Sequence, residues 1–196
     1  MELFIVRHGK TIWNAKNKLQ GQTDIELNED GERSAAELGD MLSHTTIDLI
    51  YSSPLKRAIK TAQLISGQRN IPIITDERLK EISFGDKEGT TTAEWFSDDS
   101  PYRFFFDKPE LYKTPPNGES FESVLQRTKE FIQAEIEPKY HDCERIMIVA
   151  HGALNKGLMS YIQNHDLANY WGKGLQNNCE VSIFSYDGKK WETVKE

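Results

Sequence analysis

Two short apolar runs each end in a histidine followed by a glycine, and this pairing constrains the chain more than any other feature. Leu3-Phe4-Ile5-Val6 leads into Arg7-His8-Gly9, and Ile146-Met147-Ile148-Val149-Ala150 leads into His151-Gly152. Each run is too short for a buried helix and fits a core strand of a parallel sheet. In open α/β sheets, ligands bind in the crevice outside the carboxyl ends of the strands. Two imidazoles delivered there, with a guanidinium beside one of them, suit chemistry on a phosphate.

The rest of the chain alternates in the same way. Asn28-Glu29-Asp30 predicts a helix start with acids in its first turn, running to about His44. Ile47–Tyr51 reads as a strand, and Ser52-Ser53-Pro54 turns into a helix with Pro54 at its first position. Ile71–Ile74 reads as a third strand, Glu119 to about Ile136 as a helix, Arg145–Ala150 as a strand and Ala153–Gln163 as a helix. Val181–Tyr186 and Trp191–Val194, joined at Asp187-Gly188, predict a closing hairpin. The fold class expected is α/β, a three-layer α/β/α sandwich with a mostly parallel central sheet. We expect one domain over residues 1–196, with a partly helical excursion at about 82–117 that holds the aromatic patch Tyr102-Arg103-Phe104-Phe105-Phe106.

A chain of 196 residues is long enough to bury a sizeable core. The net charge of -7 argues against a nucleic-acid surface, which needs a basic stripe. It does not argue against an anionic ligand, because a local cluster of arginines overrides the global sign. The N-terminal apolar run stops at Arg7 and does not read as a leader, and no stretch approaches the roughly 20 apolar residues of a membrane span. Cys143 and Cys179 lack metal-ligand spacing and read as reduced thiols, so the expected location is cytoplasmic. No metal and no cofactor are expected. Monomer and homodimer are both open.

The candidate residues follow from chemistry. His8, when neutral, is a nucleophile toward phosphorus, and Arg7 can clamp phosphate oxygens. Gly9 lets the backbone turn closely. Arg57, just past a strand end, can aim a guanidinium at the same crevice. Glu81 can protonate a leaving oxygen and then activate water. His151 can stabilise charge on a transferring group. Asn155, one helical turn after His151, carries no expectation. His44, His141 and His165 lie in polar surroundings and are expected to be exposed.

Taken in this order, the residues resemble the histidine phosphatase superfamily, the group typified by cofactor-dependent phosphoglycerate mutase. The resemblance covers nearly the whole chain: Arg7-His8-Gly9, Asn14, Gly21 with Asp24, Leu27 to Gly31, Ser52-Ser53-Pro54 with Arg57, Glu81, Gly118-Glu119-Ser120 and His151-Gly152. It implies that His8 is the nucleophile and carries a transient phosphohistidine. It implies further that Arg7, Arg57 and His151 form the phosphate pocket, and that Asn14, Gln20, Gly21 and Gly152 complete the substrate site. Glu81 would serve as proton donor and then as base, with no metal required.

The same pocket serves hydrolysis and isomerisation. Family mutases place an arginine directly after the proton-donor glutamate, where this chain has Ile82, and Ser or Thr before the glycine, where it has Gln20. The favoured function is a metal-independent phosphomonoesterase of the histidine acid phosphatase type, acting on a small phosphorylated metabolite. The alternatives are a cofactor-dependent phosphoglycerate mutase and a non-catalytic phosphate-binding module. The acid and the neutral nucleophile together predict a bell-shaped pH profile on the acidic side. The aromatic patch has two readings, an anchor onto the sheet and an apolar lid over the substrate, and anchoring is favoured.

Overall fold

The computed structural model describes residues Met1–Glu196. Strand β1 (Glu2–Arg7) is followed by the single turn α1 (Ile12–Ala15), helix α2 (Glu29–Met41), β2 (Leu49–Ser52), α3 (Lys56–Ser66) and β3 (Ile73–Thr75). Two single-turn helices, α4 (Thr92–Trp95) and α5 (Phe104–Asp107), lie in the excursion. The chain closes with α6 (Phe121–Phe131), β4 (Arg145–Ala150), α7 (Gly152–Gln163), β5 (Val181–Tyr186) and β6 (Trp191–Lys195).

The strands form one sheet in the order β3-β2-β4-β1-β5-β6. The pairings β3–β2, β2–β4 and β4–β1 are parallel, and β1–β5 and β5–β6 are antiparallel. The class is α/β with a mixed, mostly parallel sheet. For the site, the decisive pairing is β1 beside β4, with Arg7 opposite Ala150. The His8 N–H donates to the Ala150 carbonyl at 2.9 Å, so the two histidine-bearing strand ends leave the sheet side by side.

Alternation along the strands builds two cores. Phe4, Val6, Met147 and Val149 point to one face, where Leu38, Ala58, Ala62 and Ile65 of α2 and α3 cover them. Leu3, Ile5, Ile146 and Ile148 point to the other face, against Val124 and Phe131 of α6 and Leu154 and Leu158 of α7. The excursion joins this second core through Phe84, Trp95 and Phe105. Phe105 makes the anchor: its ring lies 5.0 Å from Phe121 and 5.1 Å from Trp171. Phe104 instead lies beneath the Arg103 guanidinium, 4.5 Å from the ring centre.

Several element ends differ from the sequence expectation. Helix α2 stops at Met41, not His44: Ser43 N–H donates to the Asp40 carbonyl at 3.1 Å and Thr45 N–H to the Leu42 carbonyl at 2.9 Å, tighter turns that close the helix, and the Arg69 guanidinium covers the same Leu42 carbonyl at 2.6 Å. Pro54 lies before α3 and not at its first position. The Ser53 hydroxyl accepts the Leu55 N–H and Asp24 accepts the Lys56 N–H, so a turn occupies 53–55 and the helix begins at Lys56. The helix expected to about Ile136 keeps α-geometry to Phe131 and finishes as a wider π-turn over Ile132–Ile136. The third strand is displaced to Ile73–Thr75, where Ile50 N–H pairs with the Pro72 carbonyl. His44 and His141 are exposed, but His165 is half-buried. No helix is long and apolar enough to cross a membrane.

Candidate active site

His8 follows the last residue of β1 and is 3% exposed. Its Nδ1 lies 2.7 Å from the Gly9 carbonyl, which only accepts, so Nδ1 carries the proton. That bond fixes the tautomer and leaves Nε2 with its lone pair and no partner in the chain. Burial first, then the charges of Arg57 and Arg7, hold the His8 pKa well below 6.5, so the ring is neutral. Gly9 is a glycine by necessity: a β-carbon there would lie 2.6 Å from the Gly31 carbonyl oxygen. Its N–H donates to Thr61 Oγ1 at 3.0 Å, tying the loop to α3.

Arg57, on the first turn of α3, is wholly buried. Its Nε–H donates to His151 Nδ1 at 3.2 Å, Nη1 to the Thr23 carbonyl at 2.9 Å and Nη2 to the Gly21 carbonyl at 2.6 Å. Burial lowers its pKa to about 10, which leaves it a cation in the working range. His151 is also wholly buried, with its ring centre 5.1 Å from that of His8. Since Nδ1 accepts from Arg57, Nε2 carries the proton and donates to Ser53 Oγ at 2.7 Å. Burial, then Arg57, keeps this ring neutral as well, its pKa well below 6.5.

Arg7 ends β1 and reaches the opening. Its Nη1 donates to the Gln176 carbonyl at 2.5 Å, and its buried Nε–H has no partner. A β-carbon on Gly152 would lie 3.6 Å from Arg7 Cζ and 2.7 Å from Leu175 Cδ1, so glycine there lets the guanidinium and the helix start converge. Glu81 is 7% exposed and caps α7 from outside that helix. Oε1 accepts the N–H of Leu154 at 2.8 Å and of Ile82 at 3.0 Å, and Oε2 accepts the Ala153 N–H at 3.1 Å. Burial raises its pKa above 4.5 and outweighs those three bonds, which lower it.

A cavity of about 310 Å³ opens on these groups and is lined by Arg7, His8, Asn14, Gln20, Glu81 and Gly152 among others. Asn14 Oδ1 accepts the Thr11 N–H at 3.1 Å, which turns its Nδ2 donor toward other partners. Gln20 Oε1 accepts from Thr11 Oγ1 at 2.5 Å, while its buried Nε2 has no partner. Gly21 is buried behind the cavity. A β-carbon there would lie 2.8 Å from the Ile82 carbonyl oxygen.

The sequence-expected residues therefore converge, but in two layers. Arg7, His8, Asn14, Gln20, Glu81 and Gly152 line the opening. Arg57, His151 and Gly21 form the layer behind it, bonded to one another. The resemblance implies direct phosphate contact for Arg57 and His151. In this arrangement Arg57 retains two of its five N–H groups and His151 retains none: the Thr23 and Gly21 carbonyls and His151 Nδ1 take three from Arg57, and Ser53 takes the one N–H of His151.

Sequence reading missed four supporting residues. Ser53 was part of the motif but had no role assigned, and it orients His151. Glu88 Oε1 accepts the Gln22 N–H at 2.8 Å and shapes the loop carrying Gly21. Gln176 holds Arg7, and Asn178 Nδ2 donates to the His8 carbonyl at 2.8 Å. The signal for the last two was a run of amides, Gln176-Asn177-Asn178, directly before the hairpin.

Known proteins resemble this chain in sequence and in fold. The chain is 37% identical over 163 residues to a 2,3-bisphosphoglycerate-dependent phosphoglycerate mutase of Cytophaga hutchinsonii, covering 82% of this chain and 76% of the relative. It is 35% identical over 187 residues to the uncharacterized phosphatase PhoE of Bacillus subtilis, covering 95% of this chain and 89% of that one. Among solved structures, YhfR of Bacillus stearothermophilus superposes with a TM-score of 0.90 at 36% identity, covering 100% of this chain and 96% of that one. The family described as histidine phosphatase superfamily, branch 1, matches residues 3–196. A match of that extent, over a fold that brings both His-Gly strand ends to one opening, means that the chain belongs to the histidine phosphatase superfamily.

Proposed function

We propose that this enzyme is a phosphoric monoester hydrolase that works through a phosphohistidine on His8. The observation that carries the reading is the single bond from His8 Nδ1–H to the Gly9 carbonyl. It leaves Nε2 as the nucleophile in a cavity shared with Arg7 and Glu81.

In the first step Nε2 attacks phosphorus and the ester P–O bond breaks. The leaving oxygen takes the proton of the Glu81 carboxyl, carried on Oε2, which has the single longer bond. Arg7 and the remaining Arg57 N–H groups offset the charge on the phosphoryl oxygens. In the second step the Glu81 carboxylate removes a proton from water, the water oxygen attacks phosphorus, and the N–P bond breaks to release phosphate.

Hydrolysis is favoured over isomerisation by the walls beyond Glu81. A bisphosphorylated intermediate needs a second cluster of cations. Apart from Arg7 and Glu81, the cavity offers Lys18 and otherwise neutral or apolar side chains. The expected result is phosphate release from small phosphomonoesters with chelator present, and loss of about 10⁴-fold or more in His8→Ala. Conversion of 3-phosphoglycerate to 2-phosphoglycerate without net phosphate release would make the enzyme a mutase.

A further inference from the structure

Gly118-Glu119-Ser120 lies outside the cavity wall, and the mechanism above gives it no task. The Glu119 carboxylate meets α6. Arg127 lies on that helix, and its Nε–H and Nη2–H donate to Glu119 Oε1 and Oε2, both at 2.8 Å. This is a planar fork on a carboxylate, a geometry that arginine holds and lysine does not. Ser123 Oγ donates to the same Oε1 at 2.8 Å. The two side chains are 16% and 14% exposed, so solvent screens the pair weakly.

The rest of the fork turns to the segment that carries Glu81. Nη1 donates to the Arg78 carbonyl at 2.6 Å and to the Lys80 carbonyl at 2.7 Å. The Glu119 N–H donates to the Ser83 carbonyl at 2.9 Å. One Arg–Glu unit thus grips the backbone directly before Glu81 and two residues after it. Residues 80–84 lie in no helix or strand, so side chains and not a ladder take their carbonyls.

We infer that Arg127, held by Glu119, is a positioning residue for Glu81: it sets the backbone from which the proposed acid projects, and does so from outside the cavity. The role rests on the acid function proposed for Glu81 above and adds what holds that acid in place. The far end of the Glu81 side chain is fastened by the N–H groups of Ile82, Ala153 and Leu154. Those bonds keep their geometry only while the backbone stays where it is. Oε2 has one bond, at 3.1 Å, and must face the leaving oxygen. A misplacement of about 1 Å at such an atom costs about a hundredfold in rate. Gln22 Nε2 takes the Glu81 carbonyl at 3.0 Å and keeps one tie without Arg127. Loss of Arg127 therefore loosens the segment without detaching it, and the expected cost is nearer to about tenfold.

The test uses Arg127→Ala and Arg127→Lys. Lysine keeps the charge beside Glu119 but cannot span the carboxylate and both carbonyls, and it serves where the alanine variant does not fold. Two esters are compared by kcat/KM: glycerol 1-phosphate, whose leaving alkoxide needs the Glu81 proton, and 4-nitrophenyl phosphate, whose leaving group does not. Each variant should lose about tenfold on the first ester and less than about threefold on the second. In a Glu81→Gln background the same substitutions should cost less than about twofold on the alkyl ester, because the proton they place is gone. Equal losses on both esters, or the full loss again in the Glu81→Gln background, overturn the positioning role and leave the hydrolase reading standing. Amide hydrogen exchange reads the same placement without turnover. The Ala153 and Leu154 N–H groups, which Glu81 accepts, should exchange about tenfold faster in each variant, with the amides of α3 across the sheet unchanged. Unchanged exchange at both amides overturns the role. If the wild type fails on either ester, exchange decides alone, and failure on both removes the hydrolase reading as well.

Discussion

The two ends of the cavity are built from different material. The proposed phosphate end stands on the sheet: Arg7 ends β1 and His8 follows it, His151 follows β4, and Arg57 lies on the first turn of α3. His8, Arg57 and His151 are buried there, and Arg57 is bonded to backbone carbonyls and to His151. The far end stands on loops, the excursion and the 171–175 segment, where Phe106 and Leu175 are exposed beside the buried rings of Phe84, Phe105 and Trp171. On the proposed mechanism, strand ends and α3 hold the nucleophile and its cations, the Glu81 loop is pinned by the Ala153 and Leu154 N–H groups of α7, and the outer loops set what is bound. Changes at the first end should therefore reduce rates for every substrate, and changes at the second should reorder substrates.

Glu81 gives the strongest test of that division after the nucleophile itself. Glu81→Gln keeps an acceptor for the α7 N–H groups but removes the proton, and should lower kcat by about 10²–10⁴-fold on an alkyl phosphate. The loss should be smaller on 4-nitrophenyl phosphate, whose leaving group departs without a proton. The sign of the pH effect follows from burial. The raised Glu81 pKa means that the proton persists above pH 4.5 and is lost as pH climbs through the raised value. His8, with its pKa depressed well below 6.5, stays neutral until the medium is strongly acidic. The wild-type profile is a bell on the acidic side, and Glu81→Gln should lack its alkaline limb. An unchanged alkaline limb would assign the acid to another group.

The sheet end was legible in the sequence and the loop end was not. Buried parallel strands read as continuous apolar runs, so Leu3–Val6 and Ile146–Ala150 declared themselves, and the residues that follow them mark the crevice. Element ends were less legible, because side chains distant in sequence help to satisfy them: Arg69 covers the Leu42 carbonyl at the end of α2, and Ser53 with Asp24 delays α3 past Pro54. The placement of the loop end was invisible because its bonds join distant segments. Trp171 pairs with Phe105, and Gln176 Nε2 donates to the Ile5 carbonyl at 3.1 Å across 171 positions. Such pairs leave no local period. The aromatic patch shows the result, since its three adjacent phenylalanines take three roles: Phe104 under Arg103, Phe105 in the core and Phe106 on the cavity rim.

That separation sharpens the comparison within the loop end itself. Phe105→Ala empties a buried site and should cost about 3–5 kcal/mol of unfolding free energy. Phe106→Ala removes a partly exposed ring and should cost about 1 kcal/mol or less while changing substrate preference. Urea unfolding of the two variants measures this directly. Equal losses would mean that the excursion holds its rings as one unit and that the rim is structural.

The smallest effect is expected at Ser53, and it tests whether the buried layer behind His8 works by orientation. Ser53 Oγ accepts the His151 Nε2–H at 2.7 Å and the Leu55 N–H at 3.3 Å, so it links the imidazole to the turn from which α3 and Arg57 depart. Ser53→Ala removes that link without touching the cavity. Two buried donors lose their acceptor, and a misaligned Arg57 should lower kcat by about tenfold, equal to about 1.4 kcal/mol in the barrier. Because Arg7 still meets the bound phosphate, KM should change little. Ser53→Thr, which restores the hydroxyl, should recover most of kcat. A loss shared equally between kcat and KM, or no recovery with threonine, would show that Ser53 serves packing and that His151 holds Arg57 unaided.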